Sequence, residues 1–191
     1  MPLYQNKYRV KSARLQGWDY RSPGWYFVTI CTEDHRHIFG DVSDGQVRLS
    51  PSGEIADSEL RNLSSHYLNI SLDTFVVMPN HIHAIIVIEG QHRHFPNPIR
   101  SEPCSRNSLI VIPPKAGSLA AIVRSYKSGV TYRCHEKRPR DFAWQAGFYD
   151  YIIRTNIPLQ AIREYIEQNP ANWPEDPENR PSVQFPNKSR P

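Results

Sequence analysis

Apolar residues recur along this chain with two periods, about 2 and about 3.6, and the switches between them divide it into elements. Trp25–Thr32 (WYFVTICT) is rich in β-branched and aromatic residues and predicts a strand, after which Asp44-Gly45 between Val42 and Val47 marks a hairpin turn. Pro51-Ser52-Gly53-Glu54 opens a helical pattern in which Ile55, Leu60 and Leu63 recur until about Tyr67. Ile70–Met78 and His83–Ile88 predict two further strands, broken by Pro79-Asn80. Ser118 is a good N-cap for a helix whose Leu119, Ile122, Val123, Tyr126 and Val130 form one apolar stripe. Trp144–Ile153 predicts another strand and Ile157–Asn169 a last helix.

The order strand, helix, strand, strand, helix, strand predicts an α+β fold. Specifically, it is a ferredoxin-like split βαβ sandwich: an antiparallel sheet with helices on one face, decorated by an extra hairpin and a C-terminal helix. A chain of 191 residues suits one such domain with appendages. The expected division is a basic N-terminal arm at 1–22, a body at 23–173 and a Pro-rich tail at 174–191. Within the body, the Pro, Ser, Asn, His and Arg of 89–117 mark a long loop or insertion.

Composition adds a partner class. Net charge is +4 and the sequence pI about 9.0, but the charge is segregated. Residues 1–22 carry five basic groups against one acidic, and 91–140 ten against two, whereas 23–90 carry three against nine. Two basic blocks beside an acidic region suit a polyanion bound on one face, although a solvated surface accounts for the charge equally well. Arg9, Lys11, Arg14, Arg124, Lys127 and Arg133 are the candidate phosphate contacts. The three cysteines, without a C-x-x-C spacing, predict reduced bystanders. No run of eighteen apolar residues and no secretory signal is present, so a cytoplasmic protein with no membrane partner is expected.

Three His-x-His pairs occur: His35/His37, His81/His83 and His92/His94. Arg36 and Arg93 put a cation inside two of them, which opposes a divalent metal. Ile82 does not. His81/His83 opens an apolar strand, where i and i+2 side chains share a face, so both imidazoles can converge on one ion while Ile82 packs on the other side. Two hydrogen-bonded, half-buried histidines fit the same pattern. In the last helix, AIREYIEQNP, Tyr165 and Asn169 are four residues apart and share a face with Ile162 and Ile166. They fit a chemical pair, or a core tyrosine followed by a C-cap before Pro170.

Together, VVMPNHIHAIIVI and REYIEQNP resemble the His-hydrophobic-His motif and tyrosine helix of the single-tyrosine HUH transposases, in particular the REP-associated tyrosine transposases. GWYFVTICT, GSLAAIVRSYKS and WQAGFYDYIIR support the resemblance in the family's order, from about residue 9 to 173. It implies that Tyr165 is a nucleophile and that His81, His83 and Asn169 are metal ligands for Mg²⁺ or Mn²⁺. The implied activity is cleavage and rejoining of single-stranded or hairpin DNA through a 5′-phosphotyrosine, with a homodimer allowed for. Asn169 stands where insertion-sequence members typically have Gln, and the Asn-Pro ending resembles the REP-associated branch, which puts self-mobility in doubt. Two other readings stay open: a domesticated DNA- or RNA-binding regulator without turnover, and a metal-dependent phosphoesterase that uses water.

Overall fold

A computed structural model describes residues 15, 17–90, 116–137 and 143–179. The arm through Arg14, the candidate contacts Arg9, Lys11 and Arg14, the pair His92/His94, Cys104, and most of the 89–117 excursion lie outside the described residues, as does the chain from Arg180 on.

Alternation along the first strand, β1 (Gly24–Cys31), divides it between two faces. Tyr26, Val28 and Ile30 enter one core, while Phe27 and Thr29 point to the opposite side. The hairpin β2 (Gly40–Ser43) and β3 (Gln46–Leu49) turns at Asp44-Gly45, whose φ values of 55° and 70° are those of the left-handed turn that this pair of residues tolerates. It forms a separate two-stranded sheet.

The helix α1 (Pro51–Arg61) is capped by Ser50, whose hydroxyl accepts from the Gly53 amide at 3.1 Å. The single helix expected to run to Tyr67 is instead two, because Asn62 at ψ −1° breaks the regular bonding before the short α2 (Leu63–His66). Its neighbours β4 (Ile70–Val77) and β5 (His81–Ile88) form a hairpin across Pro79-Asn80. Next come α3 (Leu119–Lys137), β6 (Tyr149–Ile153) and α4 (Asn156–Gln168). The sheet order is β4-β5-β1-β6 with every neighbouring pair antiparallel, which is the ferredoxin-like order expected from the sequence.

The faces differ in what covers them. On one, α1 and α3 bury Tyr26, Val28, Ile82, Ala84 and Ile86, and the whole predicted stripe of α3 is buried with them. Tyr126 ties the two helices by donating to the Ala56 carbonyl at 2.9 Å. Gly129 of α3 lies against Glu59 of α1, where a Cβ would meet a carboxylate oxygen at 2.6 Å and displace that flexible side chain. On the other face, α4 alone covers Phe27, Ile85 and Ile153 with Ile162 and Ile166. Each of these fully buried isoleucines contributes roughly 1.5–3 kcal/mol. Arg163 adds a bidentate pair to Asp73 at 2.6 and 2.8 Å, reaching the irregularity between Leu72 and Phe75 of β4.

The sixth strand is shorter than the predicted Trp144–Ile153. Gly147 turns at φ 76°, and the Gln145 and Gly147 carbonyls accept from Lys127 Nζ at 2.7 and 2.9 Å, so only Trp144 makes an isolated bridge, to Thr32. Lys127 thus props a loop, and Arg133 pairs with Glu59, which gives two of the candidate phosphate contacts internal partners. Among the described residues no helix is long and apolar enough to cross a membrane.

Candidate active site and metal centre

The second face of the sheet holds the candidate site. Because β5 alternates, Ile82 is buried against α1 and α3 while His81 and His83 face α4, their ring centroids 4.4 Å apart. His81 is fully buried and His83, Asn169 and Asp176 are 3%, 2% and 8% exposed.

Each imidazole is held by its neighbours. The Asn80 amide nitrogen donates to the carbonyls of Glu178 at 2.7 Å and His35 at 3.2 Å, which fixes the amide's orientation. Its oxygen, 2.8 Å from His81 Nδ1, therefore accepts from that nitrogen and leaves a lone pair on Nε2. That Nε2 is buried without a hydrogen bond. His83 stacks on Phe27, with Thr29 Oγ1 2.9 Å from Nδ1 and the Tyr165 hydroxyl 3.2 Å from Nε2. Two arrangements satisfy both contacts, Nδ1 donating to Thr29 with the phenol donating to Nε2, or Thr29 donating to Nδ1 with Nε2 donating to the phenol; a ligand role through Nε2 requires the first.

Electrostatics keep both rings neutral. Burial pushes His81 down to about 4, opposed by the Asp176 carboxylate and reinforced by His35. Burial, with His81 adding to it, holds His83 well below the ordinary histidine range. Neutral imidazoles are the ligand form.

Ile162 and Ile166 seat α4 so that Tyr165 and Asn169, one turn apart, meet this pair. Asn169 is at once the C-cap of α4 and a candidate site residue. Its amide nitrogen donates to Asp176 Oδ2 at 2.6 Å, while its own oxygen is buried without a hydrogen bond. Beyond Pro170 the chain folds back through a 3-10 turn at Trp173–Glu175, and the Trp173 ring lies 6.0 Å from His81 and 5.4 Å from His37. The turn delivers Asp176, whose carboxylate and the His81 and His83 ring nitrogens lie within 4.8 Å of one another.

No family model matches the chain. An uncharacterised protein of Haemophilus influenzae is 33% identical over 169 residues, covering 87% of this chain and 91% of that protein. The two belong to one family. A solved structure of a REP-associated tyrosine transposase bound to a REP hairpin superposes with a TM-score of 0.56 at 16% identity, over 86% of this chain and 74% of that one. This chain has the REP-associated tyrosine transposase fold.

Within this fold, the four residues singled out from sequence come together in one cluster, with His81, His83 and Asn169 buried and Tyr165 half-buried. Asp176 and Trp173 were missed. Both lie beyond the last periodic helix, Trp173 at the very end of the expected body and Asp176 in the Pro-rich tail, where no local period marks a buried face; the large apolar ring of Trp173 in a polar stretch is the signal available there. The donor set fits a divalent cation. It offers two neutral imidazoles, an amide oxygen and a carboxylate, and two of these acceptors, His81 Nε2 and Asn169 Oδ1, are buried with no hydrogen to accept.

Proposed function

We propose that the chain is a metal-dependent single-stranded DNA endonuclease and strand transferase that acts through a 5′-phosphotyrosine. The observation that carries this reading is the Tyr165 hydroxyl, 3.2 Å from His83 Nε2 and beside two buried acceptors lacking protons. A nucleophile and a cation cradle thus share one pocket. The likeness in fold to a transposase solved with a hairpin supports DNA as substrate and a palindromic hairpin as its form.

Mg²⁺ or Mn²⁺, held by His81, His83 and Asn169 with Asp176 alongside, would supply positive charge to the non-bridging oxygens of the scissile phosphodiester. The chain's own contribution is orientation. Asn80 and Thr29 fix the imidazole rings, and Phe27 and Ile162 hold the α4 face, so that Tyr165 Oη meets phosphorus along a set direction. As the Oη–P bond forms, the bond from phosphorus to the 3′-oxygen breaks. The phenolic proton lost is balanced by the one the 3′-oxygen gains, leaving a free 3′-hydroxyl able to reverse the step on another strand. The phosphoester bond energy is kept, so rejoining needs no nucleotide cofactor. The N-terminal arm, residues 1–22, and the basic helix α3 are the proposed elements that hold the hairpin's backbone.

Incubation with labelled hairpin DNA and Mn²⁺, followed by digestion and mass spectrometry, tests the assignment. A nucleotide adduct on the peptide carrying Tyr165, lost in Tyr165→Phe, is the expected result. Cleavage without an adduct identifies a water-using phosphoesterase, and binding without cleavage a regulator; either refutes the proposal.

A further inference from the structure

A second group of donors lies beside the histidine pair and takes no part in the proposed reaction. Cys31 ends β1, His35 sits in the 3-10 turn that follows it, and Glu178 lies two residues beyond Asp176. Cys31 Sγ is 3.8 Å from Glu178 Oε2, His35 Nδ1 is 3.3 Å from the same oxygen, and the three ligand atoms lie within 4.8 Å of one another. We propose that Cys31, His35 and Glu178 form a second metal site, for a thiophilic divalent cation of the zinc type.

The distances carry the proposal first. With zinc-to-ligand lengths of about 2.3 Å for sulfur, 2.0 Å for nitrogen and 2.1 Å for oxygen, a tetrahedron has edges of about 3.6 Å between sulfur and oxygen and about 3.4 Å between nitrogen and oxygen. The observed edges are 3.8 and 3.3 Å. Direction carries it second. His35 Nδ1 is buried and close to a carboxylate oxygen, yet makes no hydrogen bond of acceptable geometry. Without a metal the same Glu178 oxygen accepts from the Cys31 thiol and pairs with His35 by distance alone, so one carboxylate oxygen already gathers the other two donors around the proposed position.

Backbone and chemistry agree. Asp34 and His35 both lie in the left-handed region, at φ 54° and 50°, a conformation that costs a residue with a Cβ on the order of 1 kcal/mol and presents His35 beneath Cys31. Thiolate, imidazole and carboxylate are donors that zinc accepts together, whereas hard cations such as Mg²⁺ reject the sulfur. On binding, the Cys31 thiol proton leaves to solvent as the sulfur-to-metal bond forms; thiolate and carboxylate then neutralise the cation's two charges inside the protein. The Arg36 cation that counted against His35/His37 from sequence is exposed, so solvent screens it from these three donors. Filling the site would staple residue 178 to the end of β1. Asn80, which donates to the Glu178 carbonyl, carries that constraint to His81.

Cobalt tests the site, because a thiolate on Co²⁺ gives a near-ultraviolet charge-transfer band that nitrogen and oxygen ligands do not. The full chain, stripped with chelator, is titrated with Co²⁺ and then with Zn²⁺. One equivalent of Co²⁺ should raise the band and one of Zn²⁺ should erase it. Cys31→Ser should abolish the band and Cys134→Ser should keep it, while the His81→Ala/His83→Ala double variant should retain it, which separates this site from the proposed catalytic one. If Cys31→Ser folds poorly by circular dichroism, Glu178→Gln at its partly exposed position serves instead, with Zn²⁺ affinity falling at least tenfold. Absence of the band in the wild type, its persistence in Cys31→Ser, or unchanged Zn²⁺ affinity in Glu178→Gln would overturn the proposal.

Discussion

Asn80 gives the most searching single test of the proposed catalytic cluster, because its side chain bonds in three directions from a fully buried position. It accepts from His81 Nδ1 at 2.8 Å and donates to the Glu178 and His35 carbonyls at 2.7 and 3.2 Å. Asn80→Ala removes all three bonds but leaves the backbone carbonyl that pairs with Thr32. At about 1 kcal/mol net for each bond the loss is about 3 kcal/mol. A domain stable by 5–15 kcal/mol, the usual range, survives it folded. The tautomer of His81 does not survive as well. Without the Asn80 oxygen nothing fixes the proton on Nδ1, and losing such an orienting partner typically weakens metal binding by about 10- to 100-fold. Urea unfolding of chelated protein measures the first effect, and calorimetric titration with Mn²⁺ the second. If stability falls as expected and Mn²⁺ affinity is unchanged, His81 is not oriented as a ligand and the metal-centre reasoning fails.

Four further outcomes are expected. Tyr165→Phe should abolish the covalent adduct while changing stability by less than about 1 kcal/mol, since the ring and its edge contact with Phe27 remain. Ile162→Ala should cost about 2–5 kcal/mol in urea unfolding, because the residue is fully buried under α4; a loss below 1 kcal/mol would mean α4 is not seated by this face. In chelated protein, stability should fall as pH drops from about 6.5 toward about 4: His81 takes up its proton more readily unfolded than folded, so stability rises with pH across that window, and a flat urea midpoint there contradicts the burial argument. A double-mutant cycle on Asp73 and Arg163 should give a coupling no larger than about 1 kcal/mol, because the pair is partly solvated.

What was legible in the sequence was whatever repeats locally. The β1 and β5 strands announce themselves by β-branched and aromatic content, and the α3 stripe by its spacing, since each is selected by a face that must be buried along several consecutive turns. The kink at Asn62 and the truncation of β6 were not legible. The first depends on a single residue's ψ. The second goes with Gly147 at φ 76° and with Lys127, far away in sequence, donating to the Gln145 and Gly147 carbonyls.

The same division explains the cluster. His81 with His83 and Tyr165 with Asn169 are each visible as pairs because strand and helix periods place i, i+2 and i, i+4 on one face. That the two pairs meet is a tertiary fact, set by the antiparallel register of Cys31 with His81 and by Ile162 and Ile166 seating α4 across it. Asp176 belongs to neither period. It arrives through a turn bonded at Pro170 and Trp173, and its carboxylate would change the chemistry of the proposed metal centre. Without it the three expected ligands are all neutral, and a bound cation would keep its full charge for the DNA phosphate. With it, part of that charge is met by the protein, and the Asn169 amide is turned so that its oxygen, rather than its nitrogen, remains for the cation. A carboxylate bonded to the amide nitrogen therefore decides which atom of Asn169 can act as a ligand, a choice that sequence spacing alone leaves open.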